Sequence, residues 1–248
     1  MTKLADELKQ MIFKGDPYED FNHEEFPQND HGWFDNEITF AYLIDVLKPK
    51  VYVEVGVWLG KSVRYVAKKL AEQSDDFAVI AIDNFLGSIE HWDSSKKSKT
   101  RFGALELKNG FPQFYYTFLS NSVRAGQKDC VVPFPTNSLT ALRFLKLHEV
   151  KAELILIDAS HEYPEVYDDL IAAKAILKDE NSIIIGDDLS PWFPDVAKSV
   201  KQFMAEHPGW KMIKDGFGFV LVQPGNTLGI NIPKKPKKVK KVKEEENV

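Results

Sequence analysis

The sequence predicts an α/β protein: a seven-stranded, mostly parallel sheet closed by a C-terminal antiparallel hairpin, with helices on both faces. Three observations predict it. Short β-branched runs alternate with stretches whose apolar residues recur three and four positions apart, which are the periods of strands and of amphipathic helices in turn. The strand runs are apolar almost throughout, as strands covered on both sides of a sheet are. The last two strand candidates are separated by only Asp215 and Gly216, a link that fits a hairpin and is far too short for a parallel crossover.

Taken in order, the strands fall at Val51–Val55, Ala78–Ile82, Cys130–Phe134, Leu154–Ile157, Ser182–Ile185, Trp210–Lys214 and Phe217–Val222. Helical spacing covers Lys61–Gln73, Ser138–Leu147, Tyr163–Leu177 and Asp195–Glu206. Asn84–Lys108 is a long polar segment with Trp92 inside it, and His31-Gly-Trp33 precedes the first strand, so both are natural lids over a sheet edge. A chain of 248 residues, 44% of them hydrophobic, can bury one large core. The division expected is an N-terminal helical or lid segment at 1–50, a core at 51–225 and a tail at 226–248.

Charge is uneven along the chain. Pro233–Val248 holds seven lysines against three glutamates, which is +4 of a total of −5, so the body is acidic. The tail has little to bury and reads as disordered; its like charge is compatible with nucleic acid, but no aromatic is interleaved for stacking on bases, which favours a solvated tail. No signal region or membrane-spanning run is present, so a cytoplasmic protein without membrane insertion is expected, and a homo-oligomer is compatible with the sequence. The single cysteine, Cys130, lies in an apolar stretch and reads as a buried small hydrophobe.

The stretch Val-Glu-Val-Gly-Val-Trp-Leu-Gly-Lys-Ser ends in a Gly-Lys-Ser that resembles a P-loop, yet Gly56 and Gly60 are one residue too close for one. Glu54 at the end of the strand would repel a triphosphate and suits a cationic ligand with an amino group, as S-adenosyl-L-methionine is. Asp83 follows Gly56 by 27 positions at the end of the second strand, where a Rossmann-like site places its acceptor for ribose hydroxyls. Alternatively, Glu54 pairs with Lys61 or Lys68 and serves structure alone.

Further on, Ile155-Leu-Ile-Asp158-Ala-Ser-His161 and Ile184-Ile-Gly-Asp187-Asp188 end two more strands with three carboxylates and an imidazole. Carboxylates converging on one crevice either rise in pKa or share a cation, and oxygen ligands suit Mg²⁺, Mn²⁺ or Ca²⁺, of which Mg²⁺ or Mn²⁺ is expected. Asp158, Asp187 and Asp188 are the candidate metal ligands, while His161 and Asp158 are the candidate catalytic groups, with His161 a base of ordinary pKa about 6.5. The competing reading has Asp187 and Asp188 accept backbone hydrogen bonds in their turn, and His161 pack beside Tyr163.

With Ile-Asp-Asn-Phe-Leu-Gly-Ser, Leu-Ile-Asp-Ala-Ser-His-Glu-Tyr and Ile-Gly-Asp-Asp added to the first stretch, the chain from about His31 to Val222 resembles class I S-adenosylmethionine-dependent methyltransferases, in particular methyltransferase family 24. It is also similar in layout to metal-dependent O-methyltransferases and cephalosporin-hydroxylase-like proteins, although its acidic pair is Asp-Asp where catechol-type enzymes have Asp-Asn. The resemblance implies methyl transfer to a hydroxyl of a small molecule or sugar with a divalent metal assisting. It implies that Glu54, Gly56 and Gly60 line the methionine part of the cofactor, that Asp83 binds its ribose and Ser138 lies near its adenine, and that Trp58, Ser62, Asn84, Asn137 and Asp158 also take part in binding it. Ser138 also suits the cap of the helix it begins. A non-catalytic binding protein on the same fold, and an NAD-dependent oxidoreductase, are the alternatives; the latter would show a tighter glycine motif and a sheet that stays parallel.

Overall fold

A computed structural model describes residues 2–95 and 99–233. Its strands are β1 (Val51–Val55), β2 (Ala78–Asp83), β3 (Val131–Pro135), β4 (Leu154–Ile157), β5 (Ile183–Gly186), β6 (Lys211–Asp215) and β7 (Gly218–Val222). They form one sheet in the order β3-β2-β1-β4-β5-β7-β6, parallel except where β7 pairs antiparallel with β5 and β6. Each strand lies within two residues of its expected limits, because continuous β-branched runs have no other way to bury both faces.

The helices are α1 (Lys3–Phe13), α2 (Glu37–Leu47), α3 (Lys61–Ala71), α4 (Ile89–Trp92), α5 (Lys99–Gly103), α6 (Phe114–Arg124), α7 (Ser138–Leu147), α8 (Glu165–Lys174) and α9 (Pro194–Glu206). Val51, Val53 and Val55 of β1 face a core shared with α1, α7, α8 and α9. Tyr52 of the same strand faces the opposite core, built with α2, α3 and α6. The alternation of side chains along one strand therefore feeds two separate cores, which locks the register from both sides.

Two expectations are corrected here. Asn84–Lys108 is not a plain loop, for it carries α4 and α5, whose few residues have too little local signal to be read from periodicity. The cap of α7 is Asn137 rather than Ser138: the Asn137 carboxamide oxygen accepts from the Thr140 amide at 2.9 Å, while the Ser138 hydroxyl turns to Asp169 on α8. Cys130 is buried as expected, and burial first of all pushes its thiol up to about 11, which leaves it unreactive.

The segment before α2 is fastened across the carboxyl edge of the sheet. Asn36 donates to Asp187 at 3.3 Å, and the Thr39 hydroxyl donates to Asp215 at 2.5 Å. This holds His31–Asp35 above the ends of β1 and β5. After β7 the chain stays on the body: Asn226 donates to the Asn181 carbonyl and the Thr227 amide to the Asn181 side chain. Ile230 and Ile232 pack on the second core. The lysine-rich run from 234 onward lies outside the described residues. Among the described residues no helix is long and apolar enough to cross a membrane.

Candidate active site

Chain order reverses its direction across the sheet between β1 and β4, which are neighbours although two strands separate them in sequence. The carboxyl ends of strands at such a switch point open a crevice, because the connections leave toward opposite sides. Here the crevice is a cavity of about 1180 Å³. Gly56 lies at its floor with φ of +86°, and a Cβ there would stand 2.0 Å from the Asp158 carbonyl oxygen. Only glycine lets the ends of β1 and β4 approach this closely.

The cavity wall contains Gly56, Trp58, Ser62, Asp83, Asn84, Asn137, Ser138, Asp158, His161, Asp187 and Asp188. The structure thus brings together residues that the sequence scatters over more than 130 positions. Glu54 and Gly60 do not belong to this wall. Glu54 is fully buried; its carboxylate accepts from the Tyr52 hydroxyl at 2.7 Å and from Ser62 Oγ at 2.5 Å, and does not pair with Lys61 or Lys68. Burial raises its pKa to about 7 against the lowering effect of those two donors. The expectation that Glu54 frames the crevice directly is corrected: it lies behind Ser62, which bonds it and does face the cavity. Gly60 is a packing residue, since a Cβ there would meet the Phe118 ring at 2.7 Å.

Asp83 holds the loop after β1. Its Oδ2 accepts from the amides of Val57 at 3.0 Å and Trp58 at 3.1 Å, and its Oδ1 from Phe85 at 2.8 Å. A carboxylate has about four acceptor sites, so roughly one remains, on Oδ1, for a ligand hydroxyl. Lys61 does not enter a phosphate cradle; its amine donates to the Gly32 carbonyl at 3.0 Å and ties the N-terminal segment to α3.

At the other wall, Asp158, His161 and Asp188 each present a ligand atom within 4.8 Å of the others. His161 Nε2 donates to Asp188 Oδ2 at 2.8 Å, Nδ1 lies 3.4 Å from Glu90 of α4, and the ring stacks on Phe193 at 4.0 Å rather than beside Tyr163. Burial works against a charged imidazole, yet the bonds to Asp188 and Glu90 outweigh it and raise the pKa to about 10. His161 is therefore an imidazolium near neutral pH, and its expected role as a free base there is corrected. Asp158 is pushed well above the carboxylate range, first by burial and then by Asp187 and Asp188. Asp187 is not one of the compact trio, although its charge acts on Asp158; Asn36 donates to its Oδ2 and the Asp188 amide to its Oδ1 at 2.9 Å.

Glu90, His91 and Arg101 on the two short helices, Asn36, and the buried Asp169 also line the cavity and were not singled out by sequence reading. A signal existed for His91 alone: Ser88 stands three positions before it, a helix-start spacing, and the Ser88 amide donates to His91 Nδ1 at 3.0 Å.

A sheet in this order, with its crevice at the switch point and a closing hairpin, defines the class I methyltransferase fold. Residues 53–189, more than half of the chain, match a family model described as a methyltransferase domain, and the chain belongs to this family, number 24 of the S-adenosylmethionine-dependent methyltransferases. Solved structures agree in fold. An O-methyltransferase from Bacillus cereus in complex with SAH is 15% identical, with 88% of this chain and 95% of that chain covered and a TM-score of 0.54. The O-methyltransferase TomG from Streptomyces achromogenes, involved in tomaymycin synthesis and in complex with SAM, is 14% identical over 91% of each chain with a TM-score of 0.56. No curated protein sequence matches this chain significantly.

Proposed function

We propose that this methyltransferase transfers the methyl group of S-adenosylmethionine to a hydroxyl oxygen of a small molecule. One observation carries the reading: Asp158 stands at the end of β4, beside Gly56 at the switch point and against the acidic pair of β5, inside a cavity large enough for cofactor and acceptor together. The ribose falls to the remaining acceptor site of Asp83, the adenine to Asn137 and Ser138, and the methionine carboxylate to Ser62 at the amino end of α3. Asp158 would be favoured in its ionised form by the positive charge of a bound sulfonium, while Asp187 and Asp188 keep it basic. In the transfer the acceptor oxygen forms its bond to the methyl carbon as the carbon–sulfur bond breaks, and the hydroxyl proton passes to the Asp158 carboxylate. The products are a methyl ether and S-adenosylhomocysteine. Alignment of oxygen and methyl accounts for most of the acceleration.

The donor set also fits a divalent cation. Three ligand atoms lie close together on partly buried groups, and the crowded carboxylates are relieved by positive charge. Asp158 and Asp188 would hold Mg²⁺ or Mn²⁺, with Asp187 or a deprotonated His161 completing the set. Such an ion supplies Lewis acidity that lowers the pKa of a coordinated hydroxyl.

Calorimetry with S-adenosylmethionine, NAD and ATP tests the reading. Binding of the first alone, and S-adenosylhomocysteine formed on addition of hydroxyl acceptors, is the result expected. Preference for NAD would return the chain to the oxidoreductases, and cofactor binding without turnover on any acceptor would leave a binding protein.

A further inference from the structure

The cavity wall carries a group whose chemistry methyl transfer to an unspecified hydroxyl leaves unused. Arg101 of α5 lines it, partly buried, with its guanidinium 4.5 Å from the centre of the Trp33 ring. Among the described residues Arg101 forms no ion pair, although acidic side chains share the cavity wall with it, Glu90, Asp158, Asp187 and Asp188 among them. A guanidinium has five N–H donors in a planar fork, and a ring face below it accepts none of those that point outward in the plane. Trp33 is itself 59% exposed, and on the rim Trp192, 73% exposed, meets Phe217. Large aromatic side chains left open around a cavity are surfaces for a ligand.

His31 and His91 are the two imidazoles beside Arg101. Burial lowers the pKa of both and the Arg101 charge lowers it further, against an opposing pull of Glu90 on His91. Both have one ring nitrogen already accepting, from Trp58 Nε1 at 3.3 Å and from the Ser88 amide. Lys61 also lines the cavity, but its amine is held by the Gly32 carbonyl. The cavity wall therefore combines the acidic group around Asp158 that handles a hydroxyl with one arginine fork set over an indole.

The geometry points to an aromatic hydroxy acid as the acceptor: its ring lies against the Trp33 indole, its carboxylate takes the Arg101 fork, and its hydroxyl reaches Asp158. This deepens the methyl-transfer reading and rests on it. A carboxylate is favoured over a phosphate because a single planar fork matches two coplanar oxygens. An arene is favoured over a sugar acid because a ring-conjugated carboxylate stays in the plane of its ring and can follow the guanidinium over the indole.

The test uses the full chain with dihydroxybenzoate, its methyl ester and a hexuronic acid. Binding is followed by quenching of tryptophan fluorescence, and turnover by S-adenosylhomocysteine. Arg101→Met should weaken dihydroxybenzoate binding by about tenfold or more, the scale of a lost charged bidentate pair, and leave the ester within about twofold. Arg101→Lys, which keeps the charge and loses the fork, should fall between, and S-adenosylmethionine affinity reports that each variant is folded. Equal loss for acid and ester, or tighter binding of the ester than of the acid to the unaltered protein, overturns the proposal. So does an Arg101-dependent preference for the hexuronic acid. If the acid binds through Arg101 but no acceptor yields S-adenosylhomocysteine, the acid site stands and the methyl-transfer reading falls.

Discussion

His161 donates to Asp188 at 2.8 Å while its other ring nitrogen stands 3.4 Å from Glu90, so one imidazole joins the end of β5 to the short helix α4. The pairing has a pH signature. The His161 pKa, raised from 6.5 to about 10, means that its contribution to stability is complete below pH 6.5 and is lost as pH rises through about 10. Glu90, lowered from 4.5 to about 2, contributes fully above pH 4.5 and loses this as pH falls through about 2. His161→Gln should thus destabilise most between those limits, near pH 5 to 6, by about 2 kcal/mol, the scale of hydrogen bonds to charged groups. Urea unfolding of both proteins across the pH range measures it; a difference that grows toward pH 10 would show that the imidazole is not held charged.

That bridge marks where the sequence stopped being readable. The seven strands and the residues at their ends could be read because β-branched runs and terminal carboxylates are local patterns, and a parallel sheet brings its carboxyl ends to one edge whatever the loops do. Glu90 and His161 are 71 positions apart, and nothing local joins them; their contact depends on how α4 settles on the sheet. Glu54 shows a different failure. It shares the parity of Tyr52 on β1, and residues two apart on a strand face the same side, so its place beneath Ser62 could have been read from alternation in Val-Tyr-Val-Glu-Val. The motif drew attention to the strand end instead.

Gly56 gives a prediction about the floor of the crevice. Gly56→Ala should cost about 3 kcal/mol or more, combining a positive φ with overpacking against the Asp158 carbonyl. It should also weaken S-adenosylmethionine binding in whatever protein remains folded, because β1 and β4 must part. Thermal unfolding and calorimetry check the two effects; a stable variant with full affinity would contradict the close approach.

Asp83 and Lys61 are a contrasting pair in the same wall. Asp83→Ala removes three amide contacts and the acceptor site proposed for the ribose, and should weaken S-adenosylmethionine by about 1 to 3 kcal/mol. Lys61→Ala loses only the bond to Gly32 and should leave that affinity nearly intact. Tight ATP binding abolished by the lysine change would restore the P-loop reading that the glycine spacing argues against.

The metal makes the sharpest division among the acids, because the compact trio contains Asp158 and Asp188 while Asp187 is engaged by Asn36. If a divalent cation serves the reaction, excess chelator should abolish turnover and leave S-adenosylmethionine binding largely unchanged, and Mg²⁺ or Mn²⁺ should restore activity. Asp188→Asn should reproduce the loss, since the amide keeps the size but removes the charge that balances the ion and also releases His161. Asp187→Asn should do less if Asp187 only orients the turn through the Asp188 amide, and as much if it swings in as a ligand. Manganese binding measured by paramagnetic relaxation in each variant separates these cases. Full turnover in chelator, with no manganese bound by the unaltered protein, would remove the metal and leave Asp158 alone as the acceptor of the hydroxyl proton.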